Sequence, residues 1–264
     1  MKEMKFFRRG GKFVMGMIHC LPLPGTAFYN GDMQAIIDQA LLDADNLVRA
    51  GVDAVIVENM GDGPFGVTMD TAQVAALAAV SALIAERVKL PIGIDAAMND
   101  CEAALSIAKA VGAEFVRIPV FVDTVEFYGG IISPCARKAM LFRKSIGAED
   151  IKILADIHVK HTHMLLTHVK IEDSARAAEE NGADGIIVTG THIGTETPLE
   201  LIERVKKVTS VPIIAGSGVK TENINKQFEI ADGAIVGSSL KEGGKIENPI
   251  SYELTRALVQ TIKR

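Results

Sequence analysis

The chain has 264 residues, 48% of them hydrophobic, which is enough for one sizeable core. Lys and Arg number 28 and Asp and Glu number 33, so the net charge is −5, and the lack of a basic run argues against a nucleic-acid-binding protein. No apolar run reaches the roughly 18 residues of a membrane span, and the first twenty residues do not resemble a secretory signal.

The cysteines indicate a reducing compartment. Cys20, Cys101 and Cys135 are odd in number and widely separated in the sequence. This pattern is typical of reduced thiols and not of a disulfide framework. Together with the lack of a recognisable signal peptide, it predicts a cytoplasmic protein.

Eight short apolar segments recur along the chain, and each is typical of a β-strand buried on both faces. Four of them follow a glycine-containing turn with an acidic residue, which suggests a repeating unit of two strands. In chain order the segments are KFVMGMIHC (12–20), AGVDAVIVEN (50–59), VKLPIGIDAA (88–97), VGAEFVRIPV (111–120), EDIKILADIH (149–158), NGADGIIVTG (181–190), VTSVPIIAGS (208–217) and IADGAIVGSS (230–239).

The segments between these strands predict helices. In 32–51, the apolar residues Ile36, Ala40 and Leu47 share one stripe at spacings of three and four, and Gly51 is a typical helix stop. The same features mark 71–88, 100–112, 174–182 and 198–208. Alternating strands and helices predict parallel strands joined by right-handed crossovers.

The pattern therefore predicts an α/β protein, a single-domain (β/α)8 TIM barrel spanning residues 1–264. An open doubly wound sheet is the alternative, but no GxGxxG motif follows the first strand. Residues 1–11 are predicted to form an arm that packs beneath the barrel or against a neighbouring subunit. The loops at 19–32 and 120–140 are long, and we expect them to cover the mouth of the barrel; 58–66 is a third, glycine-rich loop.

Polar residues lie where the predicted strands end, and barrel enzymes carry their sites at those ends. The segment ADIHVKHTHMLLTH (155–168) alone contains four of the six histidines. Side chains alternate along an extended strand, so Asp156, His158 and Lys160 are expected to share one face. The candidates for acid–base catalysis are His19, Glu58, Asp95, Arg117, Asp156, His158 and Lys160. The alternative for any one of them is an ion pair that stiffens the mouth.

The same histidines allow a second use. A divalent metal held by Asp156, His158 and His161 or His163 is an alternative, because imidazole and carboxylate ligands suit zinc, manganese or iron. The spacing matches no recognised metal signature. The sequence therefore assigns no cofactor, and a metal stays an open alternative.

Two glycine-rich turns predict a phosphate site. The loops near 216–221 and 237–241 follow the seventh and eighth strands, which is the usual phosphate position in this fold. Glycines let backbone N–H groups approach a phosphate closely. The phosphate-binding candidates are Gly216, Ser217, Gly218, Gly237 and Ser238. The alternative is that these glycines only make tight turns.

With these residues placed, nearly the whole chain from about residue 5 resembles the BtpA/SgcQ family. The resemblance is carried by GMIHCLPLPGT, DADNLVRAGVDAVIVENMGDGPF, GAEFVRIPV, ADIHVKH, ADGIIVTGTHIGTETPLE and PIIAGSGVKTENI, and by the Asn-Asp pair of AAMND. The resemblance implies a phosphate-binding TIM barrel. It also implies a link to photosystem I assembly in cyanobacteria and to sugar metabolism in other bacteria, without a settled reaction.

The chain departs from the family pattern at three mouth positions. Asp95 stands where Asn is expected, Met98 where Arg is expected and Pro119 where a second Asn is expected. These changes indicate either a different substrate or a loss of the original chemistry.

Two functional hypotheses follow. The first is an isomerase, epimerase or lyase that acts on a small phosphorylated metabolite such as a sugar phosphate. The second is a non-catalytic assembly or regulatory protein that uses the barrel as a scaffold. The many titratable groups at the strand ends favour the enzyme. A small phosphorylated substrate is thus the expected partner, and homo-oligomerisation is left open.

Overall fold

The computed structural model describes residues 4–190 and 196–262, and in them eight parallel strands close into a barrel. The predicted TIM barrel is therefore confirmed. Each strand pairs with the next along the chain, and the last pairs with the first. The strands are β1 (Phe13–His19), β2 (Ala54–Glu58), β3 (Ile92–Asp95), β4 (Phe115–Ile118), β5 (Lys152–Ile157), β6 (Gly185–Val188), β7 (Ile213–Ala215) and β8 (Gly233–Val236).

A helix follows each of these strands and packs against the outside of the barrel. The helices are α1 (Met33–Ala50), α2 (Thr71–Arg87), α3 (Cys101–Val111), α4 (Ala136–Ser145), α5 (Ile171–Glu180), α6 (Leu199–Lys206), α7 (Ile224–Gln227) and α8 (Tyr252–Thr261). Helix α1 begins where the Asp32 carboxylate accepts a hydrogen bond from the N–H of Ala35, and it ends at Gly51, whose φ is 93°. Over 4–190 and 196–262, no helix is long and apolar enough to cross a membrane.

The inside of the barrel is filled by large apolar side chains. Phe13 and Phe115 begin β1 and β4, at the end of the barrel opposite the mouth. The residues paired with them on the neighbouring strands are Gly233 and Gly93. A Cβ at Gly233 would lie 2.0 Å from the Phe13 ring, and one at Gly93 would lie 2.1 Å from the Phe115 ring. These glycines are required because the rings occupy the space of the missing side chains.

The N-terminal arm lies beneath the barrel. Phe6 and Phe7 pack against Phe13 with ring centroids 5.3 and 5.5 Å apart. Arg9 donates hydrogen bonds to the carbonyls of Lys206 and Val211. The arm thus covers the end of the barrel opposite the predicted site, and the mouth is left to the loops after the strands.

A small antiparallel sheet, hereafter the lid sheet, stands beside the mouth. Its strands are Val125–Phe127, Gly130–Ile132 and His163–Met164. The sequence predicted loops at these positions. Strands of two or three residues are too short to produce a recognisable alternation, and the third is recruited from a distant part of the chain, so local patterns do not reveal them.

Candidate active site at the barrel mouth

Four of the predicted catalytic residues form one row across the first four strands. In the strand register His19 is opposite Glu58, Glu58 is opposite Asp95, and Asp95 is opposite Arg117. All four residues are at least 90% buried. The row lines the bottom of a pocket of about 310 Å³ at the mouth of the barrel. Pockets of roughly 300 Å³ and above hold small ligands.

The first half of this polar row is a histidine–carboxylate pair. His19 Nε2 lies 3.3 Å from Glu58 Oε2. Burial raises the pKa of the Glu58 carboxyl, but the hydrogen bond and charge of His19, together with Arg117 and Lys160, outweigh burial and hold that pKa below its usual range. Glu58 is therefore ionised in the pocket and has the chemistry of a general base.

The second half of the row is an arginine between two carboxyl groups. Arg117 donates two hydrogen bonds of 2.9 Å to the two oxygens of Asp156, and its Nη1 lies 3.3 Å from Asp95 Oδ2. Burial disfavours the charged guanidinium, but Asp156 and then Asp95 outweigh it and raise the pKa of Arg117. Arg117 is thus a fixed, permanently charged donor at the bottom of the pocket.

Asp156 lies near the end of β5, as predicted, but its side chain does not face the pocket. It is 1% exposed, it does not line the pocket, and both its oxygens accept from Arg117. This geometry makes Asp156 the residue that orients Arg117, and it leaves no free carboxylate oxygen directed at a substrate. Asp156 was therefore predicted in the right neighbourhood but holds a positioning role.

Asp95 is the unusual member of the row. Both its carboxyl oxygens are buried, and among residues 4–190 and 196–262 neither accepts a hydrogen bond of good geometry, although Oδ2 lies 3.3 Å from Arg117 Nη1. Burial, followed by the negative charge of Glu58, raises the pKa of Asp95 well above its usual range, against the opposing effect of Arg117. The neutral carboxylic acid is favoured, and a neutral acid in a pocket can donate a hydrogen bond to a ligand oxygen.

Lys160 and His161 lie above the row and line the same pocket. The backbone N–H of Lys160 donates to Thr189 Oγ1 at 3.0 Å, which fixes the segment after β5 against the end of β6. Burial, followed by the charge of Arg117, lowers the pKa of the Lys160 ammonium. A lysine so placed can give up its proton near neutral pH more readily than an exposed one.

His158 does not face the pocket, contrary to the prediction that it shares a face with Asp156 and Lys160. Strand β5 ends at Ile157, and His158 has a φ of 46°, so the alternation of side chains stops there. The N–H of His158 donates to Asp123 Oδ2 at 2.8 Å, and burial lowers the pKa of its imidazole. The residue joins the base of the lid sheet to the barrel.

The predicted metal ligands are not brought together. Asp156 is engaged by Arg117, His158 faces Asp123, and His161 lines the pocket with a φ of 64°. His163 lies in the lid sheet. Across the part of the chain that the structure describes, no group of three His, Cys, Asp or Glu side chains has the arrangement of a metal site.

The predicted phosphate-binding residues line the opposite side of the same pocket. Gly216 and Ser217 are buried, and the N–H of Gly216 donates to the carbonyl of Val188 at 2.8 Å. Gly218, Gly237 and Ser238 also line the pocket. Gly216 therefore shapes the turn instead of donating to a ligand, whereas the other residues border the open space.

A small recess of about 130 Å³ adjoins the pocket between the two turns. It is lined by Gly218, Val219, Lys220, Ser238, Ser239 and Gly244. The backbone of both turns borders this recess, together with Lys220. Backbone N–H groups beside a lysine provide the donors and the charge that a phosphate group requires.

A glycine couples the phosphate side of the pocket to the polar row. A Cβ at Gly237 would lie 2.8 Å from Cε1 of His19. The imidazole therefore packs directly on the backbone of the turn after β8. The sequence predicted phosphate binding for Gly237, and the structure shows that its missing side chain makes room for His19.

Two aromatic residues of the pocket were not predicted from the sequence. Phe65, in the turn after β2, and Tyr128, in the lid sheet hairpin, both line the mouth. The N–H of Phe65 donates to the Tyr128 hydroxyl at 3.0 Å. The available signal was their position in glycine-rich loops of a chain with only ten Phe and three Tyr.

The fold resembles solved enzymes of the same architecture. N-(5'-phosphoribosyl)anthranilate isomerase from Pyrococcus furiosus superposes with a TM-score of 0.58 at 13% identity, over 95% of this chain and 98% of that chain. At this identity the likeness concerns the fold alone.

Sequence comparisons identify the family. An uncharacterized protein of Pyrococcus furiosus is 42% identical over 261 residues, which cover 98% of this chain and 97% of that protein. The photosystem I biogenesis protein BtpA of Synechocystis is 35% identical over 251 residues, covering 94% of this chain and 87% of that protein. The model of the BtpA family matches residues 11–264. The chain therefore belongs to the BtpA family.

Proposed function

We propose that this protein is an enzyme that moves a proton on a small phosphorylated metabolite, by isomerase, epimerase or lyase chemistry. The observation that carries the proposal is one pocket with two chemically distinct sides. The polar row supplies a carboxylate base and a fixed cation, and the two turns after β7 and β8 supply donors for a phosphate. Binding of a remote phosphate contributes free energy to the reacting end.

In the proposed reaction Glu58 removes a proton from a carbon next to a carbonyl group. The electron pair moves to the carbonyl oxygen, where Arg117 and Lys160 stabilise the negative charge and Asp95 donates a hydrogen bond. Return of the proton from Glu58 to the neighbouring carbon gives an isomer. Delivery of a proton to the opposite face by a second acid, for which Lys160 is the candidate in the pocket, gives an epimer and leaves Glu58 protonated. Lys160 is also placed to protonate the oxygen.

Proton exchange tests this reaction even when the product is unidentified. A panel of sugar phosphates is incubated in D₂O, and loss of C–H signal is followed by ¹H NMR. We expect exchange with one substrate class, and we expect Glu58→Gln to abolish it because the amide cannot accept a proton. Glu229→Gln, at an exposed position outside the pocket, is the matched control. The absence of exchange with every carbonyl-containing phosphate would contradict the proposal.

The phosphate site is tested separately by thermal shift. A ligand at 100 times its dissociation constant stabilises the fold by about 2.7 kcal/mol. We expect phosphorylated sugars, and not their dephosphorylated forms, to raise the melting temperature. Lys220→Glu should remove the shift, whereas Lys226→Glu, an equal charge change on α7 away from the recess, should keep it.

A second candidate function is favoured by one relative, the photosystem I biogenesis protein of Synechocystis. An assembly role uses the outer surface of the barrel and not the polar row. Complementation of a Synechocystis strain that lacks its BtpA distinguishes the two. Rescue by wild type and by Glu58→Gln alike supports assembly, and rescue by wild type alone supports catalysis.

A further inference from the structure

The wall of the pocket across from the phosphate turns is apolar. It is formed by Phe65, Met98, Pro119, Tyr128 and Val159, hereafter the apolar wall. Most of these residues follow β3, β4 and β5, whereas the phosphate turns follow β7 and β8. In a ring of eight strands β3 and β4 lie four places from β7 and β8, so the two surfaces face each other across the mouth.

The apolar wall is held in place by the lid sheet. Val159 packs in a buried cluster with Val120, Val125, Phe127 and Ile132 of the lid region, and Phe65 and Met98 pack against this cluster. The Tyr128 ring contacts Phe127 at 4.8 Å between centroids, and its hydroxyl accepts from the N–H of Phe65. The wall is therefore a packed surface, supported from behind.

Its aromatic members remain open towards the pocket. Tyr128 is 68% exposed, and Phe65 also lines the open space. Aromatic rings supply large contact areas and favour stacked or edge-on contacts with other rings, and methionine makes favourable contacts with ring edges. A polyhydroxylated group placed here would lose hydrogen bonds to water and find only the Tyr128 hydroxyl among the side chains of the wall as a partner, which is unfavourable.

We propose that the substrate is a phosphate ester of a sugar or polyol whose other end carries a planar apolar ring. The phosphate lies in the recess between the turns after β7 and β8, the sugar carbons lie over the polar row, and the ring lies against the apolar wall. This inference rests on the proposed function and adds the chemical class of the far end of the substrate.

Matched ligands separate the contribution of the ring from that of the phosphate. Isothermal titration calorimetry compares glucose 6-phosphate, phenyl glucoside 6-phosphate and unphosphorylated phenyl glucoside. We expect phenyl glucoside 6-phosphate to bind at least about tenfold more tightly than glucose 6-phosphate. Unphosphorylated phenyl glucoside should bind more weakly than either phosphate ester. A tenfold ratio corresponds to about 1.4 kcal/mol.

Variants of the apolar wall then locate the ring. Tyr128→Ala and Met98→Ser should reduce the tenfold ratio towards one while leaving the dissociation constant of glucose 6-phosphate unchanged. Phe28→Ala is the matched control, because Phe28 is 70% exposed and lies outside the pocket. We expect it to leave both dissociation constants unchanged.

The outcomes distinguish this inference from the proposed function. Equal affinity of wild type for the two esters, or a ratio that survives both wall substitutions, overturns the ring assignment and leaves the phosphate site standing. Failure of both esters and of inorganic phosphate to bind overturns the proposed function itself. Equal binding of the phosphorylated and unphosphorylated glycosides overturns the phosphate recess, and with it the proposed function.

Discussion

The raised pKa of Asp95 leads to a pH-dependent stability that Asp95→Asn removes. An unfolded aspartate has a pKa of about 3.9. In the folded protein burial and Glu58 raise the pKa of Asp95 well above its usual range. Above about pH 4 the unfolded chain therefore releases a proton that the folded chain retains, so the wild type loses stability as the pH rises.

The size of the effect follows from proton linkage. One proton difference changes the free energy of unfolding by up to about 1.4 kcal/mol per pH unit between the two pKa values. Asp95→Asn has no proton to release there and lacks this slope, while keeping the side-chain volume. The free energy of unfolding of the variant relative to wild type should thus rise steadily from pH 5 until the folded-state pKa is passed.

The groups that face Asp95 act on it in both directions. Glu58 and Asp156 raise its pKa, whereas Arg117 and Lys160 lower it. The positive charges of Arg117 and Lys160 lower the pKa of Asp95 by less than burial raises it, so the net shift is upwards. Because Glu58 and Arg117 act directly on Asp95, the difference between the two curves reports the titration of Asp95 together with its coupling to these neighbours.

Urea unfolding followed by circular dichroism at pH 5, 6, 7 and 8 measures both proteins. Asp45→Asn is the matched control, because the hydrogen bond from Arg87 lowers the pKa of Asp45. Its stability contribution is fully present above about pH 4 and is lost only as the pH falls further, so its curve should run parallel to wild type from pH 5 to 8. A parallel curve for Asp95→Asn as well would refute the neutral acid.

Three further substitutions test the packing of the site. Asp156→Asn should lower the free energy of unfolding by about 3–5 kcal/mol, because Arg117 loses the carboxylate to which it donates two hydrogen bonds and keeps only its contact with Asp95; equal urea midpoints would contradict this role. Gly237→Ala should cost about 1–3 kcal/mol and slow proton exchange, since the new Cβ displaces His19. Lys241→Met should destabilise the fold by about 3–5 kcal/mol and lower the melting temperature, because the fully buried Lys241 pairs with the fully buried carboxylate of Asp43 in α1.

Part of the site could be predicted from the sequence. His19, Glu58, Asp95 and Arg117 each lie at the end of a predicted strand, and parallel strands of a barrel end at one mouth, so their convergence followed from the fold. Their alignment at one level of the barrel could not be derived, since it depends on the register between strands. Register is set by packing across the whole barrel and not by any single segment.

The errors occurred where the chain leaves regular structure. Strand alternation placed His158 beside Lys160, but a left-handed backbone at His158 turns it towards Asp123. The contacts of the free cysteines could not be predicted either. Cys135, at the start of α4, donates its thiol hydrogen bond to the Val120 carbonyl at 3.3 Å.

The architecture, and the end of the barrel that carries the site, could be predicted from the sequence alone. Continuous apolar runs alternating with amphipathic segments are local properties that predict a parallel sheet covered on both faces. The lack of a GxGxxG motif after the first strand then favoured a closed barrel over an open doubly wound sheet. Only the tertiary structure decided which side chains act together. The Arg117–Asp156 pair, the buried carboxyl of Asp95 and the apolar wall depend on contacts between distant segments, and the charge states depend on burial, which no local pattern specifies.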